Sequence, residues 1–192
     1  MRRIVLFTLL SALFISFQSC DKDEEEGTLP APSLSIGDFH EGGIIFYIDD
    51  TGQHGFVCAA SDQSFETTWG CPPAIINGAN GLILGTGTQN TIDIINTCDD
   101  EGIAAELCDR LELNEFDDWF LPSKDELNTL YINREKVNIT AVANGGNNLE
   151  DAEYWTSSHE TGNTVIIQSF SAGNQSSDFE DSLYNVRAIR AF

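Results

Sequence analysis

Short apolar runs, separated by loops rich in glycine, asparagine and aspartate, predict a domain with strands at both ends and helices between them. Gly43-Ile44-Ile45-Phe46-Tyr47-Ile48 and Gly55-Phe56-Val57-Cys58-Ala59-Ala60 flank Asp49-Asp50-Thr51-Gly52-Gln53-His54 and read as a hairpin with a glycine-containing loop. Ile92, Ile94 and Ile95, then Ile103, Leu107 and Leu111, recur at roughly helical spacing with a break at residues 99–102, which predicts two short helices lining one core. Thr88 or Asn90 is the expected N-cap of the first. Ser123 and Glu126 form a capping box behind Pro122, and Leu127, Leu130 and Tyr131 supply the buried stripe of a third helix. Residues 154–158, 164–170 and 184–192 read as strands, with residues 171–175 turning into a further short, polar strand. Val186, Ala188 and Ile189 cannot share one face under strict alternation, so the last strand needs a bulge or burial on two sides.

The start of the chain follows another logic. Met1-Arg2-Arg3 is positive, and residues 4–17 are apolar except for Thr8, Ser11 and Ser16. A helix needs about 20 apolar residues to cross a bilayer, so this run has the proportions of a secretory signal. Phe17-Gln18-Ser19-Cys20 resembles a bacterial lipoprotein signal, with Phe17 and Gln18 departing from the usual Leu-Ala/Ser. The resemblance implies that residues 1–19 are removed and that Cys20 becomes a lipidated N-terminus; the plainer alternative is an ordinary secretory peptide with an incidental cysteine. Asp21-Lys22-Asp23-Glu24-Glu25-Glu26-Gly27 cannot pack into a core and reads as a solvated tether, continued by Pro30 and Pro32 in extended backbone. It is also similar to the acidic signal that sends some lipoproteins to the outer face of the outer membrane. The expected organisation is a signal over 1–19, a tether over 20–35 and one domain over 36–192.

Charge narrows the function classes. Nine basic residues against 31 acidic ones give a net charge of -22, which becomes -24 once Arg2 and Arg3 leave with the signal. Such a surface repels phosphate backbones and anionic lipid head groups, which argues against nucleic acid as a partner. With Cys20 assigned to lipid, Cys58, Cys71, Cys98 and Cys108 remain, an even number that favours disulfides in an exported chain. Three pairings are open. Cys71 with Cys98 and Cys58 with Cys108 is favoured, because Cys98 and Cys108 lie in one helical region where a bridge would strain the backbone. No Cys-x-x-Cys occurs and His40, His54 and His159 are scattered, which argues against structural zinc.

Motifs for catalysis are incomplete. Asp49 and Asp50 lack the spacing and closing glutamate of an EF-hand, so turn chemistry is expected. Gly85-Thr86-Gly87 is a fragment of a dinucleotide fingerprint, but Asn90 stands where the last glycine belongs. Ser157 or Ser158 beside His159, with Asp178 or Asp181, invites a triad, yet no Gly-x-Ser-x-Gly elbow holds a nucleophile. Asp117 and Asp118 reflect the acidity of the whole chain. No catalytic residue is expected.

The ordered set Gly37-Asp38, Gly42-Gly43-Ile44-Ile45-Phe46-Tyr47, Trp69-Gly70-Cys71, Gly85-Thr86-Gly87, Asp118-Trp119-Phe120-Leu121-Pro122-Ser123-Lys124-Asp125-Glu126-Leu127, Tyr154-Trp155-Thr156-Ser157-Ser158 and Val186-Arg187-Ala188-Ile189-Arg190-Ala191-Phe192 resembles the Lcl C-terminal domain family. That resemblance covers residues 36–192 and implies an α+β, C-type-lectin-like fold of twisted antiparallel strands with two or three flanking helices, found on bacterial surface or secreted proteins. It implies no active site. By similarity to C-type-lectin-like domains, the binding face falls on Asn147, Asn148, Glu150, Asp151, Glu153, Asn163, Gln168, Asn174 and Gln175, whose amides and carboxylates suit hydroxyls or calcium. The Glu-Pro-Asn and Trp-Asn-Asp motifs of calcium-dependent lectins are missing. Trp69 and Trp155 are candidates for stacking on sugars or for core packing. The expectation is therefore a lipid-anchored binding module for a glycan, protein or matrix ligand, requiring no cofactor unless calcium. The alternatives are an accessory subunit of an outer-membrane surface complex and an unrecognised hydrolase.

Overall fold

A computed structural model describes residues 33–72 and 76–192 of the chain. The signal, Cys20 and most of the tether lie outside the described residues. Ser33–Phe192 forms one unit, and it is α+β: among the described residues, nine strands in two sheets with three helices. Leu34 already packs against its core.

The first sheet carries β1 (Phe39–His40), β2 (Gly43–Ile48), β3 (Gly55–Cys58) and β9 (Ile189–Ala191) in that order, all antiparallel. Both faces of β2 are covered. Ile44 and Phe46 join the core under helix α3 (Lys124–Ala143), while Ile45 joins the core that receives α1 (Gly87–Ile95) and α2 (Ala104–Asp109). Two-sided burial explains why this strand is a continuous apolar run. The β2–β3 turn is built by Asp49, whose Oδ1 accepts the N–H of Thr51 (3.0 Å) and of Gly52 (3.1 Å), with Gly52 at φ +72°. This is Asx-turn chemistry, as the spacing predicts.

The second sheet runs β4 (Ser64–Thr67), β8 (Tyr184–Val186), β5 (Glu153–His159), β6 (Thr164–Ser169) and β7 (Gln175–Phe179), with β5 and β8 parallel. Residues 184–192, read above as one strand, form two. The chain leaves the second sheet after Val186 and enters the first at Ile189. Val186 and Ala188 face the α1/α2 core and Ile189 the α3 core, which is the two-sided burial that the residue pattern required. Trp69, Trp119 and Trp155 are buried. Trp69 and Trp155 donate their indole N–H groups to the carbonyls of Thr156 (2.7 Å) and Thr67 (2.8 Å), so both belong to the core and neither is available for stacking.

Two local expectations are corrected. Helix α1 starts earlier than Thr88 or Asn90 suggests: Thr86 occupies the N-cap and makes no side-chain cap. The missing cap is supplied from a distance, because Glu126 accepts the N–H groups of Gly85 (2.7 Å) and Gly87 (3.4 Å). Asn90 lies within the helix, and its amide exchanges two hydrogen bonds with the backbone of Gly81 (3.0 and 2.7 Å). The cysteines also divide. Cys71 and Cys98 are bonded, as favoured, but Cys58 and Cys108 are free and buried. Cys58 packs in the α3 core and Cys108 in the other, so the first sheet separates two thiols that spacing alone would pair.

Candidate functional site

Arg187, in the crossover between β8 and β9, and Arg190, on β9, close the domain. The Arg187 Nε donates to Asp62 Oδ1 (2.5 Å), its Nη1 to the Ala59 carbonyl (2.9 Å) and its Nη2 to the carbonyls of Asn147 (3.3 Å) and Asn148 (3.5 Å). Tyr154 donates its hydroxyl to Asp62 Oδ2 (2.9 Å) and accepts the Glu150 N–H (2.9 Å). Burial, reinforced by the Asp62 charge, pushes the Tyr154 phenol up, so it stays a donor. Arg190 makes a paired contact with Asp118 (2.6 and 3.0 Å), bonds the Glu41 carbonyl (2.9 Å) and lies 3.9 Å over the Phe116 ring. Each guanidinium ties loops from distant parts of the chain to the crossover between the sheets.

The nine residues expected to bind ligand do not form one surface. Asn147 turns inward: its amide accepts the Asp62 N–H (3.1 Å) and donates to Asp62 Oδ2 (3.3 Å). Asn148 and Glu150, both exposed, flank it, and Asp151 is exposed further on. Gln168 is buried and bonds the carbonyls of Ser169 (3.2 Å) and Asn174 (3.4 Å), while the half-buried Glu153 accepts from Ser169 Oγ (3.3 Å). These bring Glu153, Gln168 and Asn174 to one end of β6. Asn163 sits just beyond its other end, on the order of 17–20 Å away at about 3.3 Å per residue. Gln175 donates to the Lys124 carbonyl (2.8 Å) and so fastens β7 to the start of α3. Among the described residues no three His, Cys, Asp or Glu side chains converge to hold a metal ion.

The serines near His159 have other partners. Ser158 Oγ donates to the Gly81 carbonyl (2.7 Å) and accepts the Lys124 N–H (2.9 Å); Ser157 Oγ accepts from Asn90 (3.2 Å). His159 Nε2 lies 3.0 Å from the Gly162 carbonyl and 3.5 Å from Glu180 Oε1. Asp178 is held by the Tyr184 hydroxyl and its carboxyl is kept low by that bond.

One concave surface combines apolar walls with polar side chains at its edge. A groove of about 430 Å³ is bounded by Tyr47, Phe56, Leu84 and Phe192, with Asp49 and His54 at its rim. The rings of Tyr47 and Phe56 are 5.7 Å apart. Gly55 makes room for Phe192, since a Cβ there would fall 2.8 Å from the Phe192 ring and 2.1 Å from the Tyr47 carbonyl oxygen. Leu84 and Gly85 form the opposite wall, fixed by the bond from Gly85 to Glu126. A larger depression along α2 is lined by Glu101, Glu106 and Glu112, with Arg110 paired to Glu106 at 2.9 Å.

Comparison with known protein families and with curated proteins finds no match. The fold has a neighbour. A fimbrial protein from Bacteroides ovatus ATCC 8483 superposes with a TM-score of 0.59 and 14% sequence identity, over 81% of this chain and 48% of that one. This chain thus spans about half the length of that protein. At such identity the likeness concerns the fold alone.

Sequence reasoning missed the groove because its aromatic walls come from β2, β3 and the end of β9, and the β3–β9 pairing joins residues far apart in the chain. The available signal was Gly55 opposite Ile48 in the hairpin: a glycine inside a strand marks a close approach by another group.

Proposed function

We propose that this chain is a non-catalytic binding module of the bacterial surface, with a C-type-lectin-like domain of the Lcl C-terminal kind held to the outer membrane through lipid on Cys20. The observation that carries this reading is the groove at Tyr47, Phe56 and Phe192, an apolar concavity with the exposed His54 beside it. The antiparallel pairing of the N-terminal hairpin with β9 supports the lectin-like assignment. The engagement of Ser158, His159 and Asp178 with separate partners supports a role without catalysis. The acidic tether after Cys20 supports display away from the membrane.

A second reading, an accessory subunit of a surface complex, is favoured by the fold likeness to a fimbrial protein. Metabolic labelling with an alkyne palmitate analogue, combined with protease accessibility on intact cells, tests the anchored and displayed state. Unlabelled protein, or protein protected from protease, refutes it. Recovery of a stoichiometric partner after crosslinking selects the accessory reading, and its absence together with saturable ligand binding selects the module.

A further inference from the structure

We propose that the groove between Tyr47, Phe56, Leu84 and Phe192 binds a neutral, hexose-based saccharide; this inference rests on the binding-module reading. Its size, about 430 Å³, lies within the range of small-ligand sites, about 300–1,000 Å³. A pyranose ring has an apolar C–H face encircled by hydroxyls, so a matching site offers aromatic surface ringed by separate donors and acceptors. The groove has that arrangement. Tyr47, Phe56 and Phe192 supply aromatic surface, the Tyr47 hydroxyl and the His54 ring make no hydrogen bond to the described residues, and the Asp49 carboxylate has acceptor capacity beyond the turn. The phenol donates and accepts, the imidazole does one at each nitrogen, and the carboxylate accepts only.

Charge selects among ligands of this size. Among the described residues no lysine or arginine lines the groove, and the chain carries a net charge of -22, so anionic sugars and phosphorylated groups are repelled. The one carboxylate at the rim is already compensated. Asp49 Oδ1 receives the Thr51 N–H (3.0 Å), the Thr51 hydroxyl (2.6 Å) and the Gly52 N–H (3.1 Å), and these bonds, led by the Thr51 hydroxyl, hold its carboxyl below the usual aspartate range. What Asp49 has left to offer is a directed acceptor, which suits hydroxyls better than it suits a bulky cation. The walls are also set before any ligand arrives. Gly55 and Phe192 exchange two backbone bonds of 3.1 Å, and the Gly85 wall is pinned by Glu126 at 2.7 Å, so little ordering remains to oppose binding.

The test is calorimetric titration of the full lipidated chain in detergent with cellopentaose, laminaripentaose, maltopentaose and mannopentaose, and with pentagalacturonate and pentalysine as charged probes. At least one neutral pentasaccharide is expected to bind saturably. Tyr47→Ala and Phe192→Ala each weaken it at least tenfold, and Tyr47→Phe, which keeps the ring and the fold, weakens it two- to fivefold. Ile139→Ser, at an exposed position on α3 that lines no part of the groove, leaves affinity unchanged. Far-ultraviolet circular dichroism and thermal unfolding establish that each variant is folded. Failure of all four neutral probes to bind overturns the proposal. So does binding that survives Tyr47→Ala and Phe192→Ala but is lost in Asn174→Ala, which would relocate the site and leave the module reading standing. Binding of pentalysine in preference to every saccharide overturns the ligand chemistry alone, whereas failure of palmitate labelling bears only on the anchored state.

Discussion

Arg187 and Asp62, 125 residues apart in sequence, meet with Nε 2.5 Å from Oδ1, and neither side chain reaches solvent. A buried ion pair of this kind adds little over an apolar pair of equal volume, because desolvation offsets the attraction, but removing one partner strands a charge. Arg187→Ala is therefore expected to cost about 3–5 kcal/mol in urea denaturation. The double variant Arg187→Met, Asp62→Leu should recover most of that loss. A double variant as unstable as Arg187→Ala would show that the hydrogen bonds to Ala59, Asn147 and Asn148 matter more than the pairing of charges.

Glu126 and Glu180 are both buried, and burial pushes both carboxyls above the ordinary glutamate value of 4.5. In that window the folded domain holds protons that the unfolded chain has released, so their contribution to stability falls as pH rises from about 4.5 upward. Their surroundings differ. Glu126 accepts from Ser123, Gly85 and Gly87, whereas Glu180 makes no hydrogen bond among the described residues and is faced by His159 and, in like charge, by Asp181. Glu180→Gln should raise the unfolding midpoint at pH 7 and flatten the decline with rising pH. Glu126→Gln should lower stability by about 1–2 kcal/mol, since an amide has one accepting oxygen where the carboxylate uses two. Denaturation curves at several pH values separate the two; the same response in both would contradict the assigned hydrogen bonds.

The cysteines predict a clean division in reactivity. The Cys71–Cys98 bridge spans a sequence separation of 27, and loop-closure entropy puts its loss at about 3.5 kcal/mol. Burial raises the Cys58 thiol to about 12 and pushes Cys108 up as well, so neither forms thiolate at neutral pH. Peptide mapping after iodoacetamide treatment should find Cys58 and Cys108 unmodified in the native protein and fully modified in guanidinium. Alkylation of either in the folded state would contradict its placement in a core.

Gly145 and Gly146, adjacent at the end of α3, should respond to substitution for different reasons. Gly145 has φ +78° with no atom near its absent Cβ, while a Cβ on Gly146 would lie 2.0 Å from the Ala60 carbonyl oxygen. Gly145→Ala should cost about 1 kcal/mol, and Gly145→Asn less, because asparagine tolerates left-handed backbone. Gly146→Ala and Gly146→Asn should each cost about 1–3 kcal/mol through the clash. Thermal unfolding of the four variants checks the contrast, and rescue of Gly146 by asparagine would sink it.

Local rules made much of the fold legible. The Ser123–Glu126 capping box, the Asp49 turn and the break between α1 and α2 each depend on residues a few positions apart. What escaped was non-local. The cap of α1 comes from Glu126, on another helix, and no inspection of residues 85–90 reveals it. Cys58 and Cys108 looked like partners until the first sheet came between them. The binding face at 147–175 was placed by similarity to C-type-lectin-like domains, yet Asn147, Gln168 and Gln175 spend their amides on holding the backbone. The groove required knowing that β9 lies beside β3.

The crossover at Arg187 and Ala188 also sets when this domain becomes a domain during its manufacture. Until residues 184–192 emerge, β3 lacks its outer neighbour, β5 lacks β8, and Asp62 and Asp118 have no cation to meet. A chain grown only as far as residue 183 therefore has both sheets unlatched, and neither can close until the crossover follows.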